Sequence, residues 1–203
     1  MDLLPDFKLG NFRYPEKLNA GYELTDAMVE KGFGDHIALI GNGRQRTYKE
    51  LADWTNRLAH VLKDDLGIIP GNRVLSRSAN NPAMVACWLA ATKVGAVVVN
   101  TMPMLRAHEL QNYIEKAEIS HALSDKRLID ELKECAETCK SLRTVVGFDG
   151  SSSHDAELDR LALEKPVGFD TVRTGRDDVA LLGFTSGSTG EPKATMHFHR
   201  DLL

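Results

Sequence analysis

Between Arg73 and Phe148 short apolar runs alternate with stretches striped at helical spacing, and that alternation is what most restricts the fold. Arg73–Arg77 reads as a strand. Asn81-Pro82 then supplies a helix N-cap followed by proline at the first helical position, where its missing N–H costs nothing. The helix this opens ends before Gly95, and Ala96–Val99 follows as a β-branched strand. A second round repeats the pattern: Leu110, Ile114 and Ala117 stripe a helix and Ile119–Leu123 forms a strand. Leu128, Leu132, Cys135 and Cys139 stripe the next helix, and Leu142–Phe148 closes the series. Strands alternating with helices of this length imply crossover connections, and so an α/β fold with a doubly wound, mostly parallel sheet.

Outside that unit the signals are more scattered. Ile37–Ile40 is a strand candidate. Thr47 and Glu50 have the spacing of a capping box, and Leu51, Trp54, Leu58 and Leu62 recur behind it at helical period. Gly150–Asp155 is serine-rich, and little periodicity follows until about Asp178. The expected organisation is a segment 1–72, an α/β unit 73–148, a surface excursion 149–178, and a strand plus loop 179–203. That last strand is expected in a second, incomplete sheet. Trp54 and Trp88 read as core aromatics.

Composition excludes several function classes. A net charge of −4 with no clustered basic run argues against a nucleic-acid surface. The most apolar stretch, Ala83–Val99, is split by Lys93 and Gly95, so a helix and a strand explain it better than a membrane span. The N-terminus has no basic region leading into an apolar core, so no signal peptide is expected. Cys87, Cys135 and Cys139 make no disulfide framework, and cytoplasmic residence is the default.

The chemistry lies near the end of the chain. Val179–Phe184 is an apolar strand, and the next residues alternate hydroxyls with glycines. Thr185, Ser186, Ser188 and Thr189 bring four hydroxyl donors. Gly187 and Gly190 let backbone N–H groups approach an anion closely, and Lys193 adds a compact positive charge behind Pro192. The spacing is neither that of the common P-loop, which needs Gly-Lys-[Ser/Thr], nor that of the dinucleotide fingerprint. A solvated surface turn is the bland alternative, but nine ordered positions behind an apolar strand favour a phosphate-handling loop.

This string resembles the signature of the adenylate-forming superfamily, which includes acyl- and aryl-CoA ligases, luciferases and peptide-synthetase adenylation domains. Arg46-Thr-Tyr-Lys-Glu-Leu51 and the stretch Trp88–Asn100 resemble two earlier family elements in the same order; Ala194 departs from the glycine many members carry. Asn19-Ala-Gly-Tyr22 and Arg77-Ser-Ala-Asn-Asn-Pro82 look most like benzoate- or 2-aminobenzoate-CoA ligases. The resemblance implies a chain that binds ATP through Thr185, Ser186, Gly187, Ser188, Thr189, Gly190 and Lys193, with Mg²⁺ accompanying the phosphates. A small carboxylic acid and CoA would be the other substrates. Such enzymes are far longer than 203 residues and complete a second sheet and a lysine-bearing C-terminal domain later in the chain. The expectation is therefore an N-terminal fragment or truncated product, with no identifiable catalytic residue and little or no activity alone. Ile37–Ile40 and the strand before the loop would then lack neighbours, and their unpaired edges would favour self-association or fraying near the end of the chain. An adenylation domain serving a carrier protein and a non-catalytic nucleotide-binding or interaction module are the alternatives. His197 and His199 are expected to be structural or substrate-lining, and Cys135 with Cys139 small core residues, rather than metal ligands.

Overall fold

The computed structural model describes residues 13–151, 153, 155–185 and 192–203. Two short helices, α1 (Ala20–Glu23) and α2 (Asp26–Met28), precede the hairpin β1 (Ile37–Gly41) and β2 (Arg44–Thr47). Then come α3 (Tyr48–His60), β3 (Arg73–Arg77), α4 (Pro82–Lys93), β4 (Val97–Thr101), α5 (Ala107–Lys116) and β5 (His121–Asp125). The series ends with α6 (Asp130–Thr138), β6 (Thr144–Phe148), α7 (Glu157–Leu163), β7 (Val179–Thr185) and β8 (Lys193–Phe198). None of the described helices is long and apolar enough to cross a membrane.

The local start and stop signals act as their chemistry dictates. Thr47 accepts the Glu50 N–H while the Glu50 carboxylate accepts the Thr47 N–H, completing the capping box of α3. The Asn81 side chain accepts from Met84 N–H with Pro82 in the first turn of α4. That helix stops at Gly95, whose φ of +76° a residue with a Cβ rarely adopts.

Six strands form one sheet in the order β6-β5-β3-β4-β7-β8, parallel except for the last. Strand β3 is buried on both faces and sends Val74 to one core and Leu75 to the other. The first core packs α3, the turn Val61–Asp65 that continues it, α4 and α7 through Leu58, Leu62, Ala86, Leu89 and Leu158. The second packs α5 and α6 through Leu110, Ile114, Leu132 and Cys135, with Cys139 just past the end of α6, so both cysteines lie in this core and Cys135 Sγ donates to Ala107 O at 3.4 Å. Trp54 and Trp88 pack half-buried against the first core.

Two expectations need correction. The strand 179–185 does not start a second sheet: β7 pairs with β4, with Val98 opposite Leu181 and Asn100 opposite Gly183. Leu181 packs into the first core while Leu182 and Phe184 pack into the second, as a two-residue period demands of a strand covered on both faces. Nor does Ile37–Ile40 lack a neighbour. It pairs antiparallel with β2 across Asn42-Gly43, whose φ values of 54° and 70° suit a tight hairpin turn, and this makes a small second sheet. In addition, α7 arises in the stretch expected to be without periodicity, where seven residues are too few for a repeating stripe to show.

Lys93, legible in the sequence only as a break in an apolar run, is wholly buried. Its ammonium donates to Thr55 Oγ1 at 3.0 Å and Asn56 Oδ1 at 2.5 Å and pairs with Asp26. Burial pushes the Lys93 pKa down although Asp26 opposes it; burial would raise that of Asp26, but the ammonium holds it below the usual carboxylate range. The pair ties α2, α3 and α4 together.

Candidate active site: the β7–β8 hairpin at the carboxyl rim

Strand β7 runs parallel to β3, β4, β5 and β6, so the connection after Thr185 leaves the sheet at the rim where those strands also end. In open α/β sheets this rim is where ligands bind. The hairpin register places Thr185 opposite Lys193 and Phe184 opposite Ala194. Thr185 and Lys193 are both solvent-exposed, and the Thr185 hydroxyl donates to Lys193 O at 3.4 Å. Ser186, Gly187, Ser188, Thr189 and Gly190 lie outside the described residues, so of the seven expected phosphate contacts only this flanking pair is placed.

The hairpin is held from both sides. Phe184 stacks on Tyr113 of α5 with centroids 4.2 Å apart and planes 8° from parallel. Thr195 Oγ1 donates to Gly183 O at 3.1 Å and lies 3.2 Å from His197 Nε2. His199 is 1% exposed and its Nδ1 accepts from the Ala20 N–H at 3.1 Å. The two histidines thus make separate contacts within the protein, and no group of three His, Cys, Asp or Glu side chains suited to a metal occurs among the described residues.

Sequence reading missed the groups that shape the rest of the rim. Arg77, at the end of β3, is fully buried. It donates to Leu128 O at 3.0 Å, Pro103 O at 3.0 Å and Leu105 O at 2.6 Å, and pairs with Glu131 at 3.2 Å. One side chain therefore gathers the loops that follow β4 and β5. A cation closing an apolar strand was the available signal. Beside it Asp125 and Asp149 are also fully buried. Burial works against their ionisation, but Arg127 outweighs it at Asp125, and the Ser151 and Ser153 hydroxyls hold Asp149 well below the usual range.

The chain belongs to the AMP-binding enzyme family, whose model matches residues 27–203. It is 29% identical over 186 residues to a 3-hydroxybenzoate–CoA ligase of Aromatoleum sp. (strain CIB), covering 92% of this chain and 35% of that one. It is 27% identical over 190 residues to a 3-hydroxybenzoate–CoA/4-hydroxybenzoate–CoA ligase of Thauera aromatica, covering 93% of this chain and 36% of that one. The fold superposes with a TM-score of 0.82 on the anthranilate CoA ligase AuaEII, solved with anthranoyl-AMP, at 20% identity over 93% of this chain and 35% of that one. The chain spans about a third of the length of the curated relatives it matches.

Proposed function

We propose that this chain supplies the phosphate-holding part of an ATP-dependent carboxylate–CoA ligase, with an aromatic acid such as benzoate or aminobenzoate as the substrate class. The observation that carries the reading is the hairpin register, which sets Thr185 and Lys193 face to face at the sheet's carboxyl rim. The connection between them offers hydroxyls, backbone N–H groups freed by glycine, and one ammonium to anionic oxygens. The similarity to two hydroxybenzoate–CoA ligases supports the aromatic class.

In the proposed reaction the carboxylate attacks the α-phosphorus of ATP and pyrophosphate leaves, giving an acyl-adenylate. The CoA thiol then attacks the acyl carbon, forming the thioester and releasing AMP. Lys193 and the hydroxyls of Thr185, Ser186, Ser188 and Thr189 would orient the β- and γ-phosphates and hold the negative charge that develops on pyrophosphate. An exposed lysine paired with a hydroxyl, on an extended backbone open to the rim, fits that ligand. Mg²⁺ fits through the phosphate oxygens rather than a protein cage, consistent with its preference for keeping water and phosphate ligands.

Calorimetric titration of ATP with Mg²⁺ tests this reading. Lys193→Ala is expected to weaken binding at least tenfold, about 1.4 kcal/mol. The chain alone, given ATP, CoA and benzoate, is expected to release AMP slowly or not at all, because it spans only about a third of its relatives' length. Equal affinity in the variant, or robust AMP release by the unaided chain, would contradict the proposal.

A further inference from the structure

The residues ahead of α1 form a strap along the segment that leads into β7. Arg176 N–H donates to Glu16 O at 3.0 Å, and its guanidinium reaches Tyr14 O at 2.8 Å. Leu18 N–H donates to Thr174 O at 2.9 Å, and Thr174 Oγ1 returns to Leu18 O at 2.6 Å. Asn19 Nδ2 then bridges Val172 O and Thr92 O. At Ala20 the strap turns into α1, whose first amides need acceptors from outside the helix. Asn19 Oδ1 takes those of Gly21 and Tyr22, at 3.0 and 3.3 Å. The Ala20 N–H goes 179 positions along the chain, to His199 Nδ1.

An N–H pointing into Nδ1 requires the neutral ring with its proton on Nε2. His199 is otherwise fastened through its own N–H, which donates to Asp178 O at 3.1 Å just before β7, while Arg200 N–H donates to Arg176 O at 3.2 Å. The strap, the start of β7 and the end of β8 therefore meet at one buried imidazole. The junction bears on β8 in particular, because among the described strands β8 is paired only with β7.

We infer that His199 is a positioning residue: as a neutral acceptor it pins the base of the β7–β8 hairpin to the N-terminal strap, so that the connection from Thr185 to Lys193 stands on an anchored foot. Its bearing on phosphate binding rests on the function proposed above; the anchoring itself does not. Protonating the ring would set N–H against N–H and break the link. The charged groups on the surrounding elements are Asp178, whose Oδ2 accepts from Gly175 N–H at 2.7 Å, Asp177 paired with Arg176 and Arg200, and Glu23 of α1 paired with Lys31. Burial pushes the His199 pKa down, and Asp178 only partly offsets it. With a folded value below the unfolded one of about 6.5, the link is complete above that pH and is lost as pH falls through the folded value.

Amide exchange followed by NMR, corrected for intrinsic rates, tests this without any nucleotide, so its failure is distinct from failure of the proposed function. The full chain is compared with His199→Asn, whose Oδ1 can occupy the place of Nδ1 but does not titrate, and with His199→Ala. As pH falls from about 7.5 to below the unfolded value of about 6.5, the parent chain is expected to lose protection together at Ala20 and at the β7 and β8 amides. His199→Asn should keep protection at those amides with little pH dependence, even though the buried His121 still titrates. His199→Ala should be at least tenfold less protected throughout. The inference is overturned if the parent chain shows no such coupled loss, if His199→Asn follows the parent's pH profile, or if His199→Ala loosens Ala20 while the hairpin amides are unchanged. Should His199→Ala fail to fold, the parent and Asn profiles decide the matter.

Discussion

Replacing Lys93 with methionine is expected to lower folding stability by about 3 kcal/mol, even though the substitution swaps a charge for an apolar chain of similar length. The ammonium is wholly buried and satisfies Asn56 Oδ1, Thr55 Oγ1 and the Asp26 carboxylate. Removing it leaves a largely buried carboxylate without its counter-charge, and that uncompensated group rather than the lost attraction dominates the cost. The remaining donors to Asp26, from Asn56 at 2.8 Å and Thr25 at 2.8 Å, soften the loss without abolishing it. If this reasoning is right, the double variant Lys93→Met/Asp26→Leu recovers a substantial part of the stability, since neither charge then has to be desolvated. Urea denaturation of the three proteins measures both quantities. A loss below about 1 kcal/mol for the single variant would show that water reaches Asp26 easily and that the pair holds little together.

Arg77→Met is expected to be at least as damaging, at about 4 kcal/mol, and to act at a different place. Three carbonyl oxygens, those of Pro103, Leu105 and Leu128, lose their donor at once, and Glu131 loses its buried cation while keeping its backbone hydrogen bond and the exposed Arg106. Each buried acceptor left unmade costs roughly 1–3 kcal/mol, partly recovered where loops shift to meet water. The loops after β4 and β5 should therefore show the largest rise in amide exchange, while α3 and α7, in the opposite core, change only with global stability. Uniform loosening across both cores would mean that Arg77 supports the sheet as a whole rather than its rim.

The parts of this fold that were legible in the sequence are those written by neighbouring residues. Thr47 with Glu50, and Asn81 with Pro82, announce helix starts because a cap is a contact across three positions. The strands from β3 to β6 were visible because apolar or β-branched residues bounded by helical stripes fall in or beside each, although β5 runs His121–Asp125, two residues later than the apolar run Ile119–Leu123 suggested. What failed was what depends on partners far along the chain. The β7 residues look the same whether they extend β4 or begin another sheet; only the pairing with β4, Val98 opposite Leu181 and Asn100 opposite Gly183, decides it. The Asn42-Gly43 turn was a local signal that could have been read, and it would have paired β1 with β2 at once.

The candidate site divides in the same way. Composition and order singled out Thr185 to Lys193, because hydroxyls, glycines and a lysine in that order have few structural reasons to follow an apolar strand. A cation closing an apolar strand hints at Arg77, but nothing local shows that it braces two loops or that His199 accepts from Ala20, since each contact joins residues distant in sequence. Lys93 hid its role for a related reason, although the helix end was read in the right place, ahead of Gly95. A lysine inside an apolar run looks like a boundary, whereas here the boundary is Gly95 and the lysine is buried with its own partners.

The claim on which the account depends is that the hairpin connection receives phosphate oxygens, and chemical-shift mapping of the ¹⁵N-labelled chain during titration with pyrophosphate tests it most directly. The predicted result is that perturbations concentrate on the amides from Phe184 to Ala194, excluding Pro192, and largely vanish in Lys193→Ala. The contradicting result is a silent hairpin with perturbations elsewhere on the rim, such as the polar cleft of about 420 Å³ between Asn42, Asn81, Arg127 and Gly150.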